Sequence, residues 1–335
     1  METIGTPLLL GLFLAFILGM LALDLGVFHR REHQVGPREA TIWTLVWIAL
    51  SLAFNLWVYL QFGPTKGLEF FTGYVIEKAL SIDNIFVFIV IFRYFSVRPE
   101  HQHRILFWGI LGALVLRGIF IVAGTALLAR FDWIILVFGA FLVYTGFKIL
   151  RAHETEVHPE KNPILKLFRR FVPMTSDYHG KHFFVRESGR LLATPLLLVL
   201  VVVEATDVVF AVDSIPAIFG ITHDPFIVFT SNIFAILGLR ALYFLLAGLM
   251  HKFRYLSVGL GLVLVFIGVK MLIHGWVEIP IVVSLGVVAF LLGGSVLLSL
   301  LRPAPPEAVP DPLHEPVPDF QHSPAARVLE ETEKK

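Results

Sequence analysis

Long apolar runs alternate with short polar stretches along most of the chain. They lie at roughly 7–28, 42–61, 69–92, 105–129, 133–150, 193–215, 226–248, 254–274 and 278–300. An α-helix needs about 20 apolar residues to cross the hydrocarbon of a bilayer. The pattern therefore predicts an all-α polytopic membrane protein with about nine transmembrane helices. The run at 69–92 is the least apolar, because Glu77, Lys78 and Asp83 interrupt it.

The charges between the runs set an orientation. Arg30, Arg31 and Arg38 follow the first run, and Arg93, Arg98 and Arg104 follow the third. The segment 151–192, after the fifth, holds Arg151, Lys161, Lys166, Arg169, Arg170, Lys181, Arg186 and Arg190. Lys252 and Arg254 follow the seventh run and Arg302 the ninth, whereas the other side has Lys66 and Arg130. Every second loop is basic. This predicts an outside N-terminus, a cytoplasmic C-terminus and a cytoplasmic 151–192 loop. Residues 1–302 then form the transmembrane domain. Residues 303–335, Pro-rich at their start, cannot build a core and are expected to be a disordered cytoplasmic tail.

Composition agrees. Of 335 residues, 56% are hydrophobic and 16% charged, against about 45–50% and 25% in an ordinary soluble domain. Mean hydropathy is +0.78. A disordered chain, a nucleic-acid-binding domain and most soluble enzymes are excluded. With no cysteine, neither a disulfide framework nor a thiolate metal site can form. No Lys or Arg precedes the first run, so it lacks the n-region of a cleaved signal peptide and is expected to be retained.

The third to fifth runs resemble the sixth to eighth. Ile82-Asp83-Asn84-Ile85-Phe86 parallels Thr206-Asp207-Val208-Val209-Phe210, and Leu116-Arg117 parallels Leu239-Arg240. Gly146 and Lys148 match Gly268 and Lys270. The offsets are 207 − 83 = 124, 240 − 117 = 123 and 270 − 148 = 122. Three helices per copy is an odd number, so the second copy is inverted in the membrane. Inverted repeats build many transporters, with the substrate near the midplane where the repeats meet.

Ionisable residues within spans are costly, by about 2.5–3.5 kcal/mol on insertion scales, and mark function by default. Glu77, Lys78, Asp83 and Asn84 sit in the third run; Glu204, Asp207, Asp213 and Ser214 in the sixth; Arg117 in the fourth; Asn232 and Arg240 in the seventh. Glu204 and Asp207 are three apart and share a helical face. Asp83 and Asp213 point elsewhere on an ideal helix, by about 120°. They could converge only where the helices unwind, for which Pro216 offers a reason. Five acids against three bases leave 5 − 3 = 2 negative charges, enough to balance one divalent cation. Carboxylate, Asn and Ser oxygens suit Mg²⁺, Ca²⁺ or Mn²⁺ alike. No histidine lies mid-span, which counts against Zn²⁺ or Cu²⁺. On a structural reading, Arg117 and Arg240 simply neutralise acids, Asn84, Ser214 and Asn232 bridge helices, and Lys148 and Lys270 snorkel.

The stretches Glu77-Lys78-Ala79-Leu80-Ser81-Ile82-Asp83-Asn84 and Glu204 to Ala217, with Thr230 to Arg240, resemble the TerC/Alx family of the LysE-type transporter group. The likeness covers about residues 5–302. The resemblance implies a bacterial inner-membrane protein linked to Mn²⁺ efflux and metal homeostasis. Some members carry a tellurite-resistance name, and others are linked to metal supply for secreted proteins. The expected function is export of a divalent cation, Mn²⁺ favoured, with exchange for protons and no permanently bound cofactor. Glu77, Asp83, Asn84, Glu204, Asp207 and Asp213 are the expected metal ligands, Asp213 on the outward side. Lys78, Arg117, Arg240 and Asn232 support them. The alternative is a membrane scaffold or assembly factor that docks protein partners through the 151–192 loop and the tail. No Ser/His pair, zinc-protease signature or nucleotide loop points to an enzyme.

Overall fold

The computed structural model describes residues 3–28, 36–131, 133–151, 172–175, 178–187, 190–247 and 255–302, without the side chains of 23–28, 37, 83, 86 and 247. The tail 303–335 and most of the 151–192 loop lie outside the described residues. Ten helices are described: α1 (Pro7–Phe28), α2 (Pro37–Phe62), α3 (Pro64–Tyr94), α4 (Pro99–Arg130), α5 (Ile134–Arg151), α6 (Pro195–Phe219), α7 (Pro225–Leu237), α8 (Leu239–Ala247), α9 (Leu256–Ile273) and α10 (Ile281–Leu301). Six of them open on proline, whose fixed φ and missing N–H suit the first turn. Gly63, at φ 91°, ends α2 and starts α3 in one residue. Only glycine takes that conformation without strain.

Each apolar run carries a helix, the seventh as the pair α7 and α8. Residues 38–62 of α2 and all of α4, α5, α6 and α10 are long and apolar enough to cross a membrane, and α7 with α8 adds a sixth span if the bent pair counts as one. The stretches Pro7–Ala22 and Leu256–Leu272 are apolar but shorter. Although α3 has 31 residues, Lys66, Glu69, Glu77, Lys78, Asp83 and Arg93 keep it from meeting the same measure.

The chain breaks in a different place from the one expected. Helix α6 runs unbroken through Pro216, three residues from its end, so the missing N–H costs one bond, to the Val212 carbonyl, without unwinding the helix. Helix α3 is also continuous. Unwinding therefore does not bring Asp83 and Asp213 together. The break falls at Gly238, where α7 and α8 bend by 41°.

Helices α3, α4, α6 and α7 form the centre. Helix α3 packs on α7 and α6, and α4 packs on α6 and α7. Helices α1 and α2 cover one side, where Phe13, Ile17, Phe54, Phe70 and Phe234 interlock. On the other side α5 and α9 cross antiparallel at bare backbone. A Cβ on Gly139 would stand 2.9 Å from the Gly268 carbonyl, and one on Gly146 would stand 2.7 Å from the Gly261 carbonyl. Small residues at such crossings let helices approach within van der Waals range, the main source of helix association in lipid.

At the end with the basic loops, strands β1 (Phe184–Glu187) and β2 (Arg190–Ala193) form an antiparallel hairpin that leads straight into α6. This small sheet is an addition to the all-α expectation. Tyr178 Oη donates to the Phe95 carbonyl (2.8 Å), and the Arg104 guanidinium lies over Phe183, 4.8 Å from the ring centre. Burial pushes the Tyr178 phenol well above its ordinary range. At the opposite end Asp224 caps α7 through Phe226 N and also accepts from Thr3 Oγ1 and Ile4 N, at 2.8–3.0 Å. It thereby ties the start of the chain to α7.

Candidate functional site

Near the middle of α4, Arg117 is 1% exposed, which a guanidinium tolerates only when its donors are satisfied. Its planar fork suits a carboxylate. Nε donates to Asp207 Oδ2 at 3.1 Å and Nη2 to Asp207 Oδ1 at 2.9 Å, a two-pronged pair. Nη1 turns to Glu77, which is fully buried, and lies 3.3 Å from Asn232 Oδ1 and 3.4 Å from Ser214 Oγ. Thus α3, α4, α6 and α7 each send a polar side chain to one point. Asp207 and Ser214 are seven residues apart, two helical turns, so one face of α6 supplies both.

Three polar atoms around this point have no hydrogen-bond partner among the described residues: Glu77 Oε2, Asn232 Nδ2 and Glu204 Oε2. Such orphaned atoms are few in native proteins and call for an explanation, a ligand or water among them. A narrow cavity of ≈ 10 Å³ adjoins the cluster, lined by Asn84, Arg117 and Asp207 with Val203, Ala113 and Leu239. It is about the size of one water. Glu204 lies one turn before Asp207 and presses on Gly112 of α4, where any Cβ would collide with its carboxylate.

The structure thus gathers Glu77, Arg117, Asp207, Ser214 and Asn232, with Asn84 on the adjoining cavity. Asp213 stands apart, facing Thr145 and Lys148 of α5. The 120° offset from Asp207 persists because α6 does not unwind. Lys78 forms no ion pair among the described residues. Its Nζ donates to the Ala235 carbonyl at 3.1 Å. Arg240 is buried in α8. The Asp83 side chain lies outside the described residues. Among the described residues, no three His, Asp or Glu side chains stand as a group that could hold a metal ion. Sequence reasoning missed the Gly112 cradle and the break at Gly238. The Gly109-x-x-Gly112 spacing, two bare positions on one helix face, was the available signal for the first.

Comparison with known proteins agrees on one family. The family described as "Integral membrane protein TerC family" matches residues 62–305. An "Uncharacterized membrane protein STKORF319" of Myxococcus xanthus is 56% identical over 305 residues, 90% of this chain and 96% of the relative. A protein of Escherichia coli (strain K12) named "Putative membrane-bound redox modulator Alx" is 52% identical over 297 residues, 86% of this chain and 92% of the relative. An "Uncharacterized membrane protein" of Rickettsia bellii is 38% identical over 291 residues, 87% and 96% of the two chains. No solved structure matches.

Proposed function

Because the chain belongs to the TerC family of integral membrane proteins, we propose that it exports a divalent metal cation across the bacterial inner membrane, with Mn²⁺ the favoured substrate. The observation that carries this reading is the acid cluster around Arg117, with Glu77 and Asp207 buried and Glu204 half-buried. Glu77, Asp207 and Glu204 against Arg117 leave 3 − 1 = 2 negative charges if all are ionised, beside a cavity and three unmet polar atoms. Asn84, Ser214 and Asn232 add neutral oxygens, a donor set suited to a hard or borderline divalent ion. Asp83 completes the site and Asp213 serves on the outward side. In the state described, Arg117 pairs with both Glu77 and Asp207. The incoming cation therefore competes with the guanidinium for the same carboxylates, and protons take the cation's place when it leaves.

The reading includes nine spans, an outside N-terminus and an inverted repeat. The α5–α9 crossing supports the repeat. Gly139 and Gly146 correspond to Gly261 and Gly268 at the offset of 122, yet Gly139 meets Gly268 and Gly146 meets Gly261. Such exchange of partners is what a two-fold axis between two copies produces. Likewise α3 packs on α7 as α6 packs on α4.

Metal flux in proteoliposomes tests the proposal. Asp207→Asn, Glu77→Gln and Asp83→Asn should each reduce Mn²⁺ transport severely; variants that transport like the parent would refute the site. One observation favours a second reading, a membrane scaffold with purely structural charges: Arg117 already engages both oxygens of Asp207. Deleting 303–335 and part of the 151–192 loop separates the two. Lost phenotype with intact flux favours the scaffold. The relatives' redox name finds no thiol here, since the chain has no cysteine.

A further inference from the structure

The last carbonyls of a helix have no partner within it and carry the negative end of its dipole. At a chain terminus water meets them. Helix α7 instead ends inside the bundle, at Leu237, with Ile236 and Leu237 both buried. The Gly238 N–H turns back to the Ile236 carbonyl, and Lys78 Nζ reaches across from α3 to the Ala235 carbonyl at 3.1 Å. Two further features make room for that amine. Gly238 has no side chain, and a Cβ there would stand 2.8 Å from Nζ; Trp47 of α2 closes over the same spot, 3.2 Å from that Cβ. No carboxylate lies within ion-pair range of Lys78 among the described residues. Its positive charge is directed at backbone oxygen.

Carbonyls at the C-terminal ends of broken membrane helices are a recurrent ligand set for small monovalent cations. An ammonium group and an alkali ion share the charge and the preference for oxygen. We propose that the Lys78 ammonium is a tethered stand-in for a monovalent metal cation, occupying an alkali-ion site at the C-terminal end of α7. The lysine fills this site permanently, so neither Na⁺ nor K⁺ is needed to stabilise the Gly238 break. Removing the amine vacates the site and makes the fold dependent on an external cation. This holds whichever ion the protein exports, and its test uses no metal transport.

The experiment is thermal unfolding of the purified full chain in detergent, in NaCl, KCl, methylammonium chloride or choline chloride at equal ionic strength. The parent and Lys78→Arg, which keep the charge, should show the same Tm in all four. Lys78→Ala should have a lower Tm in choline and recover, saturably, in at least one of the small cations. Lys78→Met fills the space with apolar atoms and should stay low in every salt. The proposal is overturned if Lys78→Ala is indifferent to cation identity, whether it is as stable as the parent or unfolded throughout. It is equally overturned if Lys78→Arg and Lys78→Ala fail alike. A flux assay that fails with Mn²⁺ while this salt response appears would refute the exporter reading alone.

Discussion

Replacing Arg117 by methionine would strip two buried carboxylates of their counter-charge while leaving the volume of the site nearly unchanged. At 2.9 Å, the attraction between Nη2 and Asp207 is about 332/(20 × 2.9), or roughly 6 kcal/mol, at an effective dielectric constant of 20. Desolvation of both ions offsets part of this. Removing one partner of a buried pair still costs about 3–5 kcal/mol, because the other charge stays behind unpaired. Arg117→Met should therefore lower the stability of the detergent-purified protein by about that amount, measured as chemical denaturation followed by tryptophan fluorescence. The triple variant Arg117→Met/Glu77→Gln/Asp207→Asn removes every charge at the point and should recover most of the loss. Arg117→Lys, which cannot grip both oxygens of Asp207, should fall between. If Arg117→Met lies within about 1 kcal/mol of the parent, or if the triple variant is no better than the single one, the guanidinium is not what holds this cluster.

Gly112→Leu would drive a side chain into the Glu204 carboxylate; overpacking of this kind costs about 1–3 kcal/mol, and a lowered Tm with reduced Mn²⁺ flux would register it. Gly268→Leu would wedge the α5–α9 crossing at the Gly139 carbonyl and should lower Tm without changing the affinity of any residual metal binding. Asp224→Ala removes the cap of α7 and the anchor of Thr3 and Ile4; the loss should be about 1–2 kcal/mol, with faster hydrogen exchange at the first residues of the chain. Desolvation lowers the pKa of His223, with His274 beside it adding to the effect. Protonation then favours the unfolded chain. This contribution to stability is present above the ordinary histidine pKa of about 6.5 and is lost as pH falls through the lower folded value, so His223→Gln should flatten the acid side of a Tm–pH profile.

The apolar runs placed the helices because a membrane span is a local property, set by about 20 residues in a row. The same measure is blind to the bend in the seventh run. Ile236-Leu237-Gly238-Leu239 is apolar throughout, and the amine that meets the end of α7 arrives from 157 residues away. Helical period put Glu204 and Asp207 on one face, and separated Asp213 from them, correctly in both cases. It could not choose partners for Arg117, since Glu77 and Asp207 lie 40 and 90 residues distant and the count of acids allowed several pairings. Pro216 misled because it costs α6 a single bond, the one its own N–H would donate to the Val212 carbonyl a turn earlier, and the helix stays continuous without it. The cavity was illegible because it is made by what Gly109 and Ala113 lack.

The glycine crossing of α5 and α9 has a bearing on ancestry. On the repeat proposed above, its contacts are reciprocal under exchange of the two copies, so two identical short chains inserted in opposite orientations could make the same seam before any linker joined them. In such a dimer one substitution would be felt twice, once on each side of the axis. In the fused chain it is felt once, and the two sides are free to diverge. On that reading, α4 is one continuous helix, while its counterpart is broken at Gly238. Duplication followed by fusion would thus have supplied a spare copy in which a bend could arise without disturbing the pair that Arg117 holds.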